Sequence, residues 1–130
     1  MKLGKFSLIA AASAFFFPGL FFLLFPILGS ARFDTLLTTS TAFSNFRSIQ
    51  GGMQIGFGAF LFCCLFKREW ITVGLLAQVL VCATITSGRL LSLIVDGSPK
   101  TVTYLLTLLE AGGLLIALFS LYLIKRSPSN

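Results

Sequence analysis

Four apolar runs dominate this chain: Phe6–Leu28, about Phe46–Phe66, Trp70–Val95 and Val102–Ile124. Each reaches or exceeds the roughly 20 helical residues that cross about 30 Å of bilayer hydrocarbon. Backbone N–H and C=O groups find no water at that depth, so segments of this kind are helices. The runs predict an all-α chain, an integral membrane four-helix bundle forming a single membrane domain over residues 1–130. Its helices are expected at about 6–28, 46–66, 70–95 and 102–124.

Composition removes the soluble alternative. The chain is 56% hydrophobic and only 11% charged, with a mean hydropathy of +0.96. A soluble domain carries about 25% charged residues, and a water-soluble bundle needs polar outer faces that this chain cannot supply. The first run is preceded by Lys2 and Lys5 and followed by Gly29, Ser30 and Ala31, as in a secretory signal. Its apolar length far exceeds the roughly 7–15 residues of a signal core, so a retained helix is expected.

Net charge is +6 with no histidine. Most of the basic residues sit at the ends of the apolar runs, where they set topology, so no nucleic-acid partner is expected. One side collects Lys2, Lys5, Lys67, Arg68, Lys125 and Arg126, whereas the opposite loops hold Arg32 and Lys100. Six against two places both termini in the cytoplasm and argues against dual-topology insertion. The expected location is the bacterial inner membrane. "KRE" (Lys67–Glu69) reads as a tight turn, and "DGSPK" (Asp96–Lys100) as a helix exit at Gly97 with Ser98 capping and Pro99 opening the next helix.

Within the runs, polar and small residues form stripes. Arg47, Gly51, Gln54 and Gly58 follow steps of four, three and four, which share one face of an α-helix. The third run adds Gly74, Gln78, Cys82, Thr86, Arg89, Ser92 and Asp96, and the fourth Thr103, Glu110, Gly113, Ala117 and Ser120. Small residues let helices approach, and amides hydrogen-bond across them. The first run carries no comparable stripe, so it is expected to be the most lipid-exposed, with Phe15, Phe16 and Phe22 meeting lipid. Glu110 lies ~12 Å and Arg89 ~9 Å from the outer helix ends at 1.5 Å per residue. Side chains lean towards their own N-terminus, which brings the two heads to one depth. Either charge alone would cost roughly 2.5–3.5 kcal/mol at mid-membrane, so the two are expected to pair.

At these residues the chain resembles a known family. "FRSIQGGMQIGFG", "SGRLLSLIVDGSP" and "LLTLLEAGGLL" are similar to segments of small bacterial four-helix membrane proteins catalogued as domain of unknown function four-three-four-five. Arg47, Gly51, Gly52, Gly88, Arg89, Asp96, Gly97 and Glu110 fit that pattern over about Asn45–Leu123. The family often has Glu before its first arginine and Tyr before Gly-Gly; here those places hold Phe46 or Asn45, and Gln50. The resemblance implies the fold and the polar positions, and no activity. A looser similarity links the chain to DoxX-type membrane proteins.

The functional expectation is a small polytopic protein that binds a lipid-like or anionic ligand in an outward-facing polar cavity lined by Arg47, Arg89 and Glu110. Gln54, Gln78 and Asp96 complete the candidate ligand-binding set. Two arginines against one deep carboxylate leave a positive excess that suits an anionic group. Two alternatives stand beside it: an accessory or structural subunit of a larger membrane complex, and a small proton-coupled transporter using Glu110. Candidate partners are the lipid bilayer, such a small molecule, another membrane protein or a second copy. No catalytic nucleophile, metal-ligand spacing or cofactor motif is present in the sequence, and Cys63, Cys64 and Cys82 lie inside apolar runs, so neither enzyme chemistry nor a cofactor is expected.

Overall fold

A computed structural model describes residues 1–126. Among these the chain is all-α: α1 (Lys2–Leu24), α2 (Pro26–Ala31), α3 (Ser40–Phe46), a π-helical segment (Arg47–Met53), α4 (Gln54–Cys63), α5 (Arg68–Val95) and α6 (Thr101–Arg126). By length and composition α1, α5 and α6 can each cross a membrane.

Local chemistry sets the boundaries. The first run, expected as one helix to Leu28, breaks at Phe25 (φ −123°, ψ 63°), with Pro26 opening α2. Proline pushes the residue before it out of the α region, while its own fixed φ suits a first helical position. Pro18 lies inside α1 without ending it. Thr39 caps α3, its Oγ1 accepting the Ala42 N–H at 3.1 Å. The second run begins earlier than expected and is divided by the π segment. At the α5 exit Gly97 takes φ +92°, where an L side chain is strained. Ser98 and Pro99 then precede α6, which starts at Thr101, rather than forming its cap and first turn.

The chain packs as two compact units. One contains Met1–Ile9 and residues 64–126; the other is Ala10–Cys63. In the first, the start of α1 lies beside α5 and α6. Leu8, Ile71, Leu75 and Ala117 are fully buried there, together with the polar Ser7, Gln78 and Ser120. Gly74 allows close approach, since a Cβ on it would stand 2.8 Å from Cys64 Cβ and 3.0 Å from Leu8 Cδ2.

In the second unit α1 meets the π segment and α4 along a seam of small residues. A Cβ on Gly58 would sit 2.7 Å from the Phe16 backbone nitrogen and 2.8 Å from the Ala12 carbonyl oxygen. One on Gly51 would sit 3.0 Å from Leu23 Cβ. Phe rings close around the seam: Phe15 meets Phe57 edge-on at 4.9 Å, and Phe22 meets Phe33 at 5.6 Å and Phe46 at 5.8 Å.

This corrects the expectation for the first helix. α1 buries Gly4, Ser7, Leu8, Ala11, Ala12, Gly19 and Phe22, and 33% of its apolar window is buried against 11% for α6. Phe22, expected in lipid, is only 8% exposed, while Phe15 and Phe16 are half-buried. The serine, alanines and glycines between the phenylalanines supply the packing face.

Candidate functional site

The α5–α6 hairpin carries an ion pair built from both helices. Arg89 Nε donates to Glu110 Oε2 at 2.7 Å, and Nη2 donates to Oε1 at 3.0 Å. This fork-on-fork geometry satisfies both carboxylate oxygens with two charge-assisted hydrogen bonds. The side chains retain 25% and 18% exposure, respectively. The hairpin turn between Val95 and Thr101 aligns the two helices in opposite directions, so residues 21 apart in sequence meet at one level.

Further along the same face of α5, Gln78 is a buried three-helix connector. It accepts from Ser7 Oγ at 3.2 Å through Oε1, and its Nε2 donates to the Gly113 carbonyl at 3.2 Å. An amide serves here because it both donates and accepts. Gln78 and Arg89 are ~16 Å apart along the helix axis at 1.5 Å per residue. Asp96 is ~10 Å beyond Arg89 in the other direction, exposed, and accepts the Ser92 hydroxyl at 2.7 Å. The stripe therefore forms one face of α5 with separate levels along it. Between Gln78 and Arg89, Thr86 keeps a buried hydroxyl oxygen that finds no hydrogen-bond partner among the described residues.

Arg47 and Gln54 belong to the Ala10–Cys63 unit. Gln54 Nε2 donates to Gln50 Oε1 at 3.0 Å, so the amides form a pair within one helical path. Arg47 opens the π segment and is exposed, whereas Gly51 is buried. A π turn is wider than an α turn, so a step of four such as Arg47 to Gly51 still comes close to one turn here, whereas a step of three falls short of it. Arg47 lines an open groove of about 430 Å³ whose other walls are Leu24, Phe25, Pro26, Ile27, Leu28 and Phe43. Among the described residues no carboxylate pairs with its guanidinium. A second hollow of about 260 Å³ lies beside it, between Thr35–Leu37 and residues Ala42, Asn45, Phe46, Ile49 and Gln50.

The groove walls and Ser7, Gln50 and Thr86 were not among the candidate site residues. The Phe25–Pro26 break was the sequence signal for the groove, because it turns the chain where a straight helix would leave no hollow.

Among curated proteins and among solved structures, none matches the chain. The similarity to DoxX-type proteins finds no support in the family match. That match covers residues 3–121, nearly all of α1, the π segment and the Arg89–Glu110 hairpin together, and by it the chain belongs to the family described as "Domain of unknown function (DUF4345)".

Proposed function

We propose that this chain is a four-span protein of the bacterial inner membrane, a single membrane domain with both termini cytoplasmic, that binds a small anionic, lipid-like ligand. The observation that carries the reading is Arg47, a cation without a carboxylate partner among the described residues, on an open groove with otherwise apolar walls. A guanidinium forks onto a carboxylate or phosphate, while the Leu24–Leu28 walls take a hydrocarbon tail. The membrane setting is supported by large apolar side chains that stay exposed along α5 and α6, including Leu80, Leu90, Ile94, Leu105, Leu108, Leu109 and Leu115. Soluble monomers rarely expose continuous apolar surface of that extent.

In this reading the Arg89–Glu110 pair ties the hairpin and Arg47 receives the ligand head, with Gln54 in the same unit. Purification in native lipid followed by mass spectrometry of co-purifying molecules tests it. An anionic amphiphile retained by the wild type and lost from Arg47→Gln supports the proposal; retention indifferent to Arg47 overturns it.

The accessory-subunit reading is favoured by a different observation. Glu110 has both oxygens engaged by Arg89, as expected of a pair that fixes helix register. A protein partner or second copy retained in the same purification, with no small molecule, supports that reading. The transporter reading requires Glu110 to exchange Arg89 for a proton, and proton-driven flux lost on Glu110→Gln would support it.

A further inference from the structure

One end of the unit formed by Met1–Ile9 and residues 64–126 gathers three helix ends. A Cβ on Gly4 of α1 would stand 3.2 Å from Leu75 Cδ1 and 3.5 Å from Ile71 Cγ2 of α5, and 3.6 Å from Ile124 Cδ1 of α6. Around this junction lie Lys2, Lys5, Lys67, Arg68, Lys125 and Arg126, all exposed, against the single acid Glu69. Two of the six rest on rings: Lys67 Nζ lies 4.6 Å from the Trp70 centroid, and Arg126 Nη1 donates to Tyr122 Oη at 3.0 Å. The other four have no carboxylate partner among the described residues. One turn further in, Phe6, Val73 and Phe119 are exposed.

The order along the helices is thus cations, then Trp70 and Tyr122, then bare hydrocarbon. That is the sequence of layers at a bilayer surface, where aromatic rings sit at headgroup level and clustered Lys and Arg attract anionic lipid. A nucleic acid or an acidic protein would satisfy the cations and leave the apolar collar uncovered. A phospholipid satisfies both with one molecule, its phosphate among the cations and its chains on Phe6, Val73 and Phe119.

We propose that this end of the molecule is a binding rim for anionic phospholipids, with Lys2, Lys5, Arg68 and Lys125 holding the headgroups. It is distinct from the Arg47 groove and stands whether or not that groove takes a ligand.

The test uses the full chain in nanodiscs mixing phosphatidylglycerol with phosphatidylcholine. Lipid retained on release into detergent is counted by native mass spectrometry. The wild type is expected to retain phosphatidylglycerol preferentially. Replacing Lys2, Lys5, Arg68 and Lys125 together by Gln is expected to reduce that preference at least about tenfold, as each cation near an anionic surface contributes a comparable share. The double variant Arg32→Gln, Lys100→Gln is expected to leave it unchanged. Should the quadruple variant fail to insert, the wild type still decides the matter. Its preference should fade between ~0.1 M and ~1 M salt, as the screening length falls from about 10 Å to about 3 Å. Equal retention of the two lipids, an equal loss in the Arg32, Lys100 control, or a rim that captures an acidic protein with no headgroup preference overturns the proposal.

Discussion

Arg89 and Glu110 show how a charge becomes tolerable in an apolar helix. Each would be costly alone at membrane depth, at roughly 2.5–3.5 kcal/mol, and the bidentate contact at 2.7 and 3.0 Å offsets much of that. Removing one partner leaves the other charge uncompensated, whereas removing both leaves two neutral amides. Arg89→Gln and Glu110→Gln are each expected to destabilise the hairpin by about 2–3 kcal/mol, and the double variant by less than the sum. A double-mutant cycle on detergent unfolding measures this; additive losses would mean the two act independently. Gln78 gives a second expectation. It is 1% exposed and links Ser7 to the Gly113 carbonyl, so Gln78→Leu strands the buried Ser7 hydroxyl, takes a side-chain donor from Gly113, and should cost about 1–3 kcal/mol, read from the same unfolding curves. The Arg89–Glu110 contact was legible in the sequence because helix rise and side-chain lean alone bring the heads to one depth. The partners of Gln78 were not, since nothing in α1 marked Ser7 as their third member.

At the scale of elements, the second apolar run is where helix periodicity misleads. A step of three, as from Gly51 to Gln54, comes near a full turn only at 3.6 residues per turn, and the π segment over Arg47–Met53 is wider than that. Gly51 and Gly58 nevertheless keep their packing role, because α1 comes close enough to leave no room for a side chain. Gly58→Leu would drive atoms into the Phe16 and Ala12 backbone, which cannot move as a flexible side chain can. It is expected to cost about 3 kcal/mol or more. Phe16→Leu trims a half-buried ring and is expected to cost roughly 1 kcal/mol. Thermal unfolding of the two variants in detergent compares them, and equal tolerance would count against the seam. The α1 side of this seam was not legible for a compositional reason. Phenylalanine dominates the run visually, yet Ala12 and Gly19 are the residues that admit the neighbouring backbone.

For the whole molecule, the question is how many times the chain crosses. Among the described residues three helices are long and apolar enough taken singly, and three crossings would put the termini on opposite sides. The topology proposed above adds a fourth. Within one unit the first turns of α1 and α5 lie side by side, Gly4 beside Ile71 and Leu75 and Ser7 bonded to Gln78. Ser40–Cys63 is the helical stretch available for the added crossing. At ~1.5 Å per residue it rises roughly 34 Å, enough for about 30 Å of hydrocarbon. The π segment divides it into pieces each too short to stand out as a span. In the proposed topology the six basic residues Lys2, Lys5, Lys67, Arg68, Lys125 and Arg126, against Arg32 and Lys100 opposite, hold both ends on the cytoplasmic side. Reporter fusions at the two termini and within Thr38–Thr41 decide the matter. Four crossings require both termini to report the cytoplasm and the Thr38–Thr41 insertion to report the opposite side. Termini on opposite sides would leave three spans, with Ser40–Cys63 outside the bilayer.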